Sequence, residues 1–215
     1  YGFAQRIDSI AQAVMVLGFD RTKTLAIAAG MRTALAGKNN SPLMKRCWQH
    51  SLATAILAES LAPGFNITKD QAYTGGLIHD IGRLGLLSAY STEYEQVLNT
   101  TFMVREDLLD SEIACFRLNH AEAGHWLTRS WGFPEGLSEI AARHHEEDYG
   151  LVDAVSLVSL SCRVASGLGF KCVQYESQPT LEELLASFPD EWRRRLPEQF
   201  DPVVAQISAQ VESLK

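Results

Sequence analysis

Residues 75–87 read GGLIHDIGRLGLL and set His79 directly beside Asp80 inside an apolar stretch. A buried carboxylate left without a partner is costly, so the pair needs a counter-cation or a metal ion. Four more histidines stand on similar ground. His50 lies in CWQHSLATAILA, His120 opens HAEAGHWL, and His144 and His145 close LSEIAARHHEE. A single histidine on a helix is ordinarily a satisfied polar residue. Several on separate apolar segments, with an aspartate among them, point to a shared ligand. Such nitrogen and oxygen donors suit Fe, Mn, Zn or Ni and do not choose between them. On one helix, adjacent side chains diverge by about 100°, so a His–Asp doublet could straddle one ion or bridge two.

The elements that must position these groups read as helices almost throughout, and no alternating strand pattern of useful length occurs. Asp8 can cap a first helix that Gly18 stops, and a second ends near Gly37. Ser41 and Pro42 open a long helix that the pattern predicts to stop at Pro63–Gly64. Thr68 caps the helix expected to carry His79 and Asp80. Further helices are expected around 91–104, 111–130, 134–146 and 151–168. Residues 176–180, ESQPT, look like a linker, and Thr180 with Glu183 has the form of a capping box. Val204, Ile207, Val211 and Leu214 form an amphipathic stripe that core or dimer packing explains equally well. These signals predict an all-α chain, with one unit over 1–175 and linker plus C-terminal helices over 176–215, packed on that unit or on a partner.

Composition narrows the function. The chain has 215 residues, 46% of them hydrophobic, so it can bury a substantial core. Its formal charge of −7 offers no broad basic surface for a phosphate backbone. The run Arg193–Arg195 reads as a solvated helix face. The cysteines at 47, 115, 162 and 172 form no CxxC pair, which fits a reducing, cytoplasmic setting. No apolar run is long enough to span a membrane, and no signal peptide opens the chain. The chain starts at Tyr1 rather than Met, so it reads as a piece of something longer.

An ordered series of motifs resembles the HD superfamily of metal-dependent phosphohydrolases, and more closely its HDOD branch, the HD-related output domain of bacterial signalling proteins. GFAQRIDSIAQAVMVLGFDRTKTL is similar to the family's early segment, with Tyr1–Gly2 as its opening turn. CWQHSLATAILAESLA resembles the helix that carries the first histidine. GGLIHDIGRL resembles GLLHDIGKL, and HAEAGHWLTRSWGFPEGLSEIAARHHE resembles the family's HAE…HHE block. The likeness covers roughly residues 1–170. It implies an HD-type helical bundle with extra N- and C-terminal helices, five helices around 42–168 forming its core, and convergence of the ligands on one pocket.

By this resemblance His50, His79 and Asp80 match the first metal site, and Asp80 would bridge to a second. His120, His144 and His145 match the second site of the related HD-GYP phosphodiesterases. His125 matches no ligand and reads as structural, and Gly124 as a close-packing residue. Two departures stand out. Arg83 replaces the lysine after HDIG and, being always charged, cannot act as a lysine acid or base would. Cys162 stands where the family has its last aspartate. A thiolate there could bind a soft metal, although a buried cysteine more often acts as a small hydrophobe. Asp153, on the same helix, is too far along to substitute. The GYP motif is absent, with Leu84-Gly85-Leu86 in the loop after the doublet. The departures favour a non-enzymatic regulatory output domain that relays a signal by contact with other signalling domains, such as an upstream receiver or sensor, and could pair as a homodimer. The alternatives are a metal-dependent phosphohydrolase acting on a nucleotide or cyclic dinucleotide, with Asp80 and Arg83 catalytic, and a plain helical scaffold.

Overall fold

The computed structural model describes residues 41–100, 107–146, 152–173 and 179–212, with a few isolated positions between 14 and 30. Among the described residues the chain is helical, with no strand. The first two expected helices fall largely outside them. Gly18 does carry φ +82°, the left-handed conformation suited to a helix stop.

Helix α1 (Pro42–Phe65) begins as its sequence dictates: Ser41 accepts from the Met44 N–H at 3.2 Å, and Pro42 occupies the first turn. It does not stop at Pro63–Gly64. It runs two residues further, to Phe65, and ends at Asn66, whose φ of 55° supplies the left-handed cap. The extra residues let buried Phe65 meet the Trp192 ring edge-on, with centroids 5.3 Å apart. Helix α2 (Lys69–Ile78) is capped by Thr68, which accepts from Gln71 N–H. It ends before the doublet rather than carrying it. His79 is its C-terminal cap, and Asp80, at φ −100° and ψ 20°, precedes α3 (Ile81–Ala89).

Two short helices follow, α4 (Ser91–Thr100) and α5 (Asp107–Phe116). The helix expected over 111–130 is broken in two. Arg117 adopts φ 65°, and Asn119 opens α6 (His120–Ser130) through a reciprocal capping box with Glu122. Helix α7 (Glu135–Arg143) starts after Pro134, and Asp153 caps α8 (Ala154–Gly167) by accepting from Ser156 N–H. Among the described residues eight helices lie between 42 and 168 where the periodicity gave six, because the doublet and the Arg117–Asn119 turn each divide a segment it joined; the resemblance implied five core helices.

The core is built on α1, which packs against α2 and α8, while α3 packs on α6 and α6 on α7. Leu57, Ile78, Leu84, Ile140 and Leu160 are among its buried side chains. The C-terminal helices α9 (Leu181–Ser187), α10 (Asp190–Arg193) and α11 (Asp201–Glu212) lie on the same body. Thr180 and Glu183 form the expected capping box. Val203 and Ile207 are buried where α11 meets α1, so part of the amphipathic stripe faces this chain's own core. The arginine run is only partly a solvated face: Arg195 lies 5.3 Å over the Phe65 ring and pairs with Glu191 at 2.8 Å.

Candidate metal centre

The site is assembled from four places: the middle of α1, the α2–α3 junction, the start of α6 with the end of α7, and α8 with the segment that follows it. Close backbone approach makes the assembly possible. A Cβ on Gly76 would lie 2.6 Å from Ala55 Cα and 2.8 Å from Ala55 N, so α2 can rest on α1 only without one. Gly82 is pressed against the backbone of His120 and Gly124 in the same way, which seats α3 on α6 and gives Gly124 its close contact. These two contacts hold the doublet between His50 and His120.

Every central imidazole is oriented by its Nδ1. Facing a carbonyl or carboxylate, that nitrogen must be the protonated one and donates. His50 donates to Phe170 O at 2.7 Å, His79 to Gly76 O at 2.7 Å, and His144 to Ala141 O at 3.0 Å. His120 donates to Glu112 Oε2 at 2.7 Å. Each therefore turns its Nε2 inward, the arrangement that metal-bound histidines use. The rings form a chain: His50 to His79 is 5.3 Å between centroids, His79 to His144 is 4.9 Å, and His144 to His145 is 4.1 Å.

Three of the inward atoms have no hydrogen-bond partner although fully buried: His79 Nε2, Asp80 Oδ1 and His144 Nε2. An unsatisfied buried polar atom costs about 1–3 kcal/mol. Three such atoms converging on one point fit a cation held between them. His79, Asp80 and His144 each offer one ligand atom, and these lie within 4.8 Å of one another. The same holds for His50, His79 and Cys162, for His50, Asp80 and Cys172, and for His120, His144 and His145. His125 stays apart, half-buried, with Nδ1 at 3.3 Å from Ser138 O.

Arg83 enters the centre where the second ligand group begins. Its Nε donates to Asp80 Oδ2 at 2.9 Å, its Nη2 to His120 Nε2 at 2.9 Å, and its Nη1 to Tyr94 Oη at 3.1 Å. Tyr94 in turn donates to Glu112 Oε1 at 2.5 Å. Both carboxylates are buried: Asp80 is 2% exposed and Glu112 0%. Burial opposes their ionisation, but the Arg83 guanidinium beside Asp80 holds that carboxyl well below the ordinary range, and His120 with Arg83 lowers Glu112. Burial together with the neighbouring His79 pushes His144 well down, so its Nε2 lone pair stays available.

The sulfurs give the pocket a second character. Cys162 Sγ lies 3.4 Å from His50 Nε2, and Cys172 Sγ lies 3.8 Å from Asp80 Oδ2. The plain hydrophobic reading of Cys162 does not hold, since it lines the pocket together with His50, Asp80 and His144. Burial resists charge on both partners, but each stabilises the other's: Cys162 is drawn down to about 6 and His50 up to about 10. A hydrogen bond from Cys47 outweighs burial at Cys172 and brings it to about 5. Asp153, as cap of α8, is occupied elsewhere.

Comparison with known proteins decides the lineage. The model of the HDOD domain family matches residues 1–147. The chain belongs to the HDOD family. No curated protein matches it. An HDOD domain protein of unknown function from Geobacter sulfurreducens superposes with a TM-score of 0.72 at 23% identity, covering 100% of this chain and 78% of that one. A provisionally assigned phosphohydrolase from Shewanella amazonensis SB2B gives 0.64 at 19% identity, covering 96% and 68%. The response regulator MmoQ from Methylococcus capsulatus gives 0.54 at 22% identity, covering 96% and 77%. These likenesses establish the fold. The HDOD match ends before Cys162, Phe170 and Cys172, so both pocket thiols and the carbonyl that orients His50 come from beyond the matched segment.

Sequence reasoning missed Glu112, Tyr94 and Cys172. Glu112 had a legible signal. It sits four residues after Leu108 and four before Phe116, on the apolar stripe of α5, while Ile113 beside it is 40% exposed. A carboxylate on the buried stripe calls for a buried partner. Among the described residues no helix is long and apolar enough to cross a membrane.

Proposed function

We propose that this HDOD domain is a regulatory module that relays a signal by contact with other signalling domains, and that its metal centre supports structure rather than turnover. The observation that carries this reading is Arg83, bonded to both Asp80 and His120. A two-ion centre would need Asp80 as its bridge and His120 as a ligand. The guanidinium takes the His120 lone pair and one Asp80 oxygen, and its fixed charge opposes a second divalent ion beside it. The sulfur at position 162 also removes a hard anionic oxygen from the first ion. The fold shared with a protein described as a response regulator supports a place in signalling. Partner domains upstream and self-association belong to the same proposal.

A second reading, metal-dependent phosphohydrolysis, is favoured by one observation: Asp80 and His144, which carry two of the orphaned inward donors, line a pocket with His50 and with exposed His145. A bound ion would supply Lewis acidity and activate water. Asp80, His79 and His50 would hold it, and Arg83 would lie near the substrate's developing charge. The two readings separate in one assay, hydrolysis of cyclic di-GMP and of nucleoside monophosphates with Mn, Fe, Ni or Zn supplied. No turnover is expected. Hydrolysis by the wild type that Asp80→Ala abolishes would replace the regulatory reading with the enzymatic one.

A further inference from the structure

We propose that His50, His79 and Cys162, completed by Asp80, form a thiolate-containing cation site that selects zinc over manganese or magnesium. The inference concerns which ion this chain takes. It goes beyond the regulatory reading and stands whether or not the domain catalyses anything.

The three side chains come from α1, the α2–α3 junction and α8, and their ligand atoms lie within 4.8 Å of one another. A tetrahedral ion at roughly 2.0–2.3 Å from its ligands separates them by about 3.3–3.8 Å. The 3.4 Å from Cys162 Sγ to His50 Nε2 is such an edge. His50 and His79 already donate through Nδ1 to Phe170 O and Gly76 O, which leaves Nε2 as the atom each turns to the ion. Two buried atoms beside them, His79 Nε2 and Asp80 Oδ1, lack partners and point independently to a ligand. A tetrahedral set of two imidazoles, one sulfur and one carboxylate is borderline-soft. Sulfur and imidazole favour zinc, whereas magnesium and manganese prefer oxygen. Cys172 offers a second sulfur, but its Sγ is directed at Asp80 Oδ2, the oxygen held by Arg83. It therefore orients Asp80, and Cys162 is the ligand.

The test uses the full chain, stripped of metal and titrated with Co²⁺ as an optical stand-in for zinc. One equivalent should give tetrahedral visible bands with a near-ultraviolet thiolate-to-cobalt charge-transfer band. Zinc should displace the cobalt, and Mn²⁺ at the same concentration should not. Cys162→Ser should lose the charge-transfer band and bind zinc at least 10–100-fold more weakly, since even outer-shell changes cost that much. Cys162→Asp should keep the ion and lose the band, and Cys172→Ser should keep both. X-ray absorption of the zinc-loaded wild type should show one sulfur at about 2.3 Å, which needs no variant to fold. An all-oxygen and nitrogen shell in the wild type would overturn the proposal. So would unchanged zinc affinity in folded Cys162→Ser, or displacement of the cobalt by Mn²⁺. A charge-transfer band lost only in Cys172→Ser would overturn the choice of sulfur.

Discussion

Replacing Arg83 by methionine tests the centre most directly, because the guanidinium is 3% exposed and three of its nitrogens are engaged. Methionine keeps much of the side chain's volume and removes the charge and the donors. Asp80 then loses the hydrogen bond at Oδ2, His120 Nε2 loses its 2.9 Å donor, and Tyr94 Oη loses its own. Removing one partner of a buried ion pair costs about 3–5 kcal/mol, because the other charge stays behind unpaired. For a chain of this size, each kcal/mol lowers Tm by about 2–4 °C, so the expected loss is about 6–20 °C. On metal-free protein followed by far-ultraviolet circular dichroism, urea unfolding measures the free-energy loss and thermal unfolding the Tm.

The pH dependence adds a second reading of the same variant. Asp80 and Glu112 are depressed in the folded protein, so each contributes stability that is fully present above its unfolded value of about 4 and is lost as pH falls through the lower folded value. His144 and His145 are likewise held below the ordinary histidine range, so their contribution is lost as pH falls below about 6.5. The wild type should therefore lose stability gradually below about pH 6.5 and steeply below about pH 4, where the carboxyls take up protons. Without Arg83 the folded carboxyls rise, and the acid loss should begin at higher pH. A destabilisation under about 1 kcal/mol, the range of an exposed pair, with an unmoved acid limb, would refute the view of Arg83 as the centre's built-in cation.

Asp80→Ala should remove bound metal, read by elemental analysis, while helicity stays nearly intact; full occupancy would exclude Asp80 as a ligand. Gly82→Ala would drive a Cβ into the backbone of His120 and Gly124, so it should cost at least the 1–3 kcal/mol typical of overpacking in urea unfolding. Leu57→Ala, in the buried face of α1, should cost about 2–5 kcal/mol in the same assay, with metal stoichiometry unchanged.

The helical class, the N-terminal caps at Ser41, Thr68 and Thr180, and the gathering of His50, Asp80, His144 and His145 at one pocket were legible because each rests on a local pattern or on an ordered motif. The missed breaks lie where local signals conflict. Arg117 adopts a left-handed φ that its residue type does not announce, and the Asn119–Glu122 capping box lies inside a run that periodicity alone joins into one helix. Pro63 erred the other way. Proline usually ends a helix, yet Phe65 gains a buried contact with Trp192 by continuing it. Tertiary packing outweighed a local preference.

The site's chemistry was less legible because its decisive contacts join distant residues. Arg83 reaches His120, 37 positions away, and Cys162 reaches His50, 112 positions away. Read one at a time, an arginine for a lysine and a cysteine for an aspartate look like separate degenerations of a hydrolase site. Together they tell a different story. On the reading proposed above, the arginine fills with fixed charge the place a second ion would take, and the cysteine would give the first ion a sulfur in place of an oxygen. A centre altered this way can still bind one ion firmly. It would lack the paired cations that clamp attacking and leaving oxygens in two-metal hydrolysis. Tight binding without turnover is what a structural centre requires, and the proposed one would tie α1 and the α2–α3 junction to α8, beyond the segment the HDOD match covers.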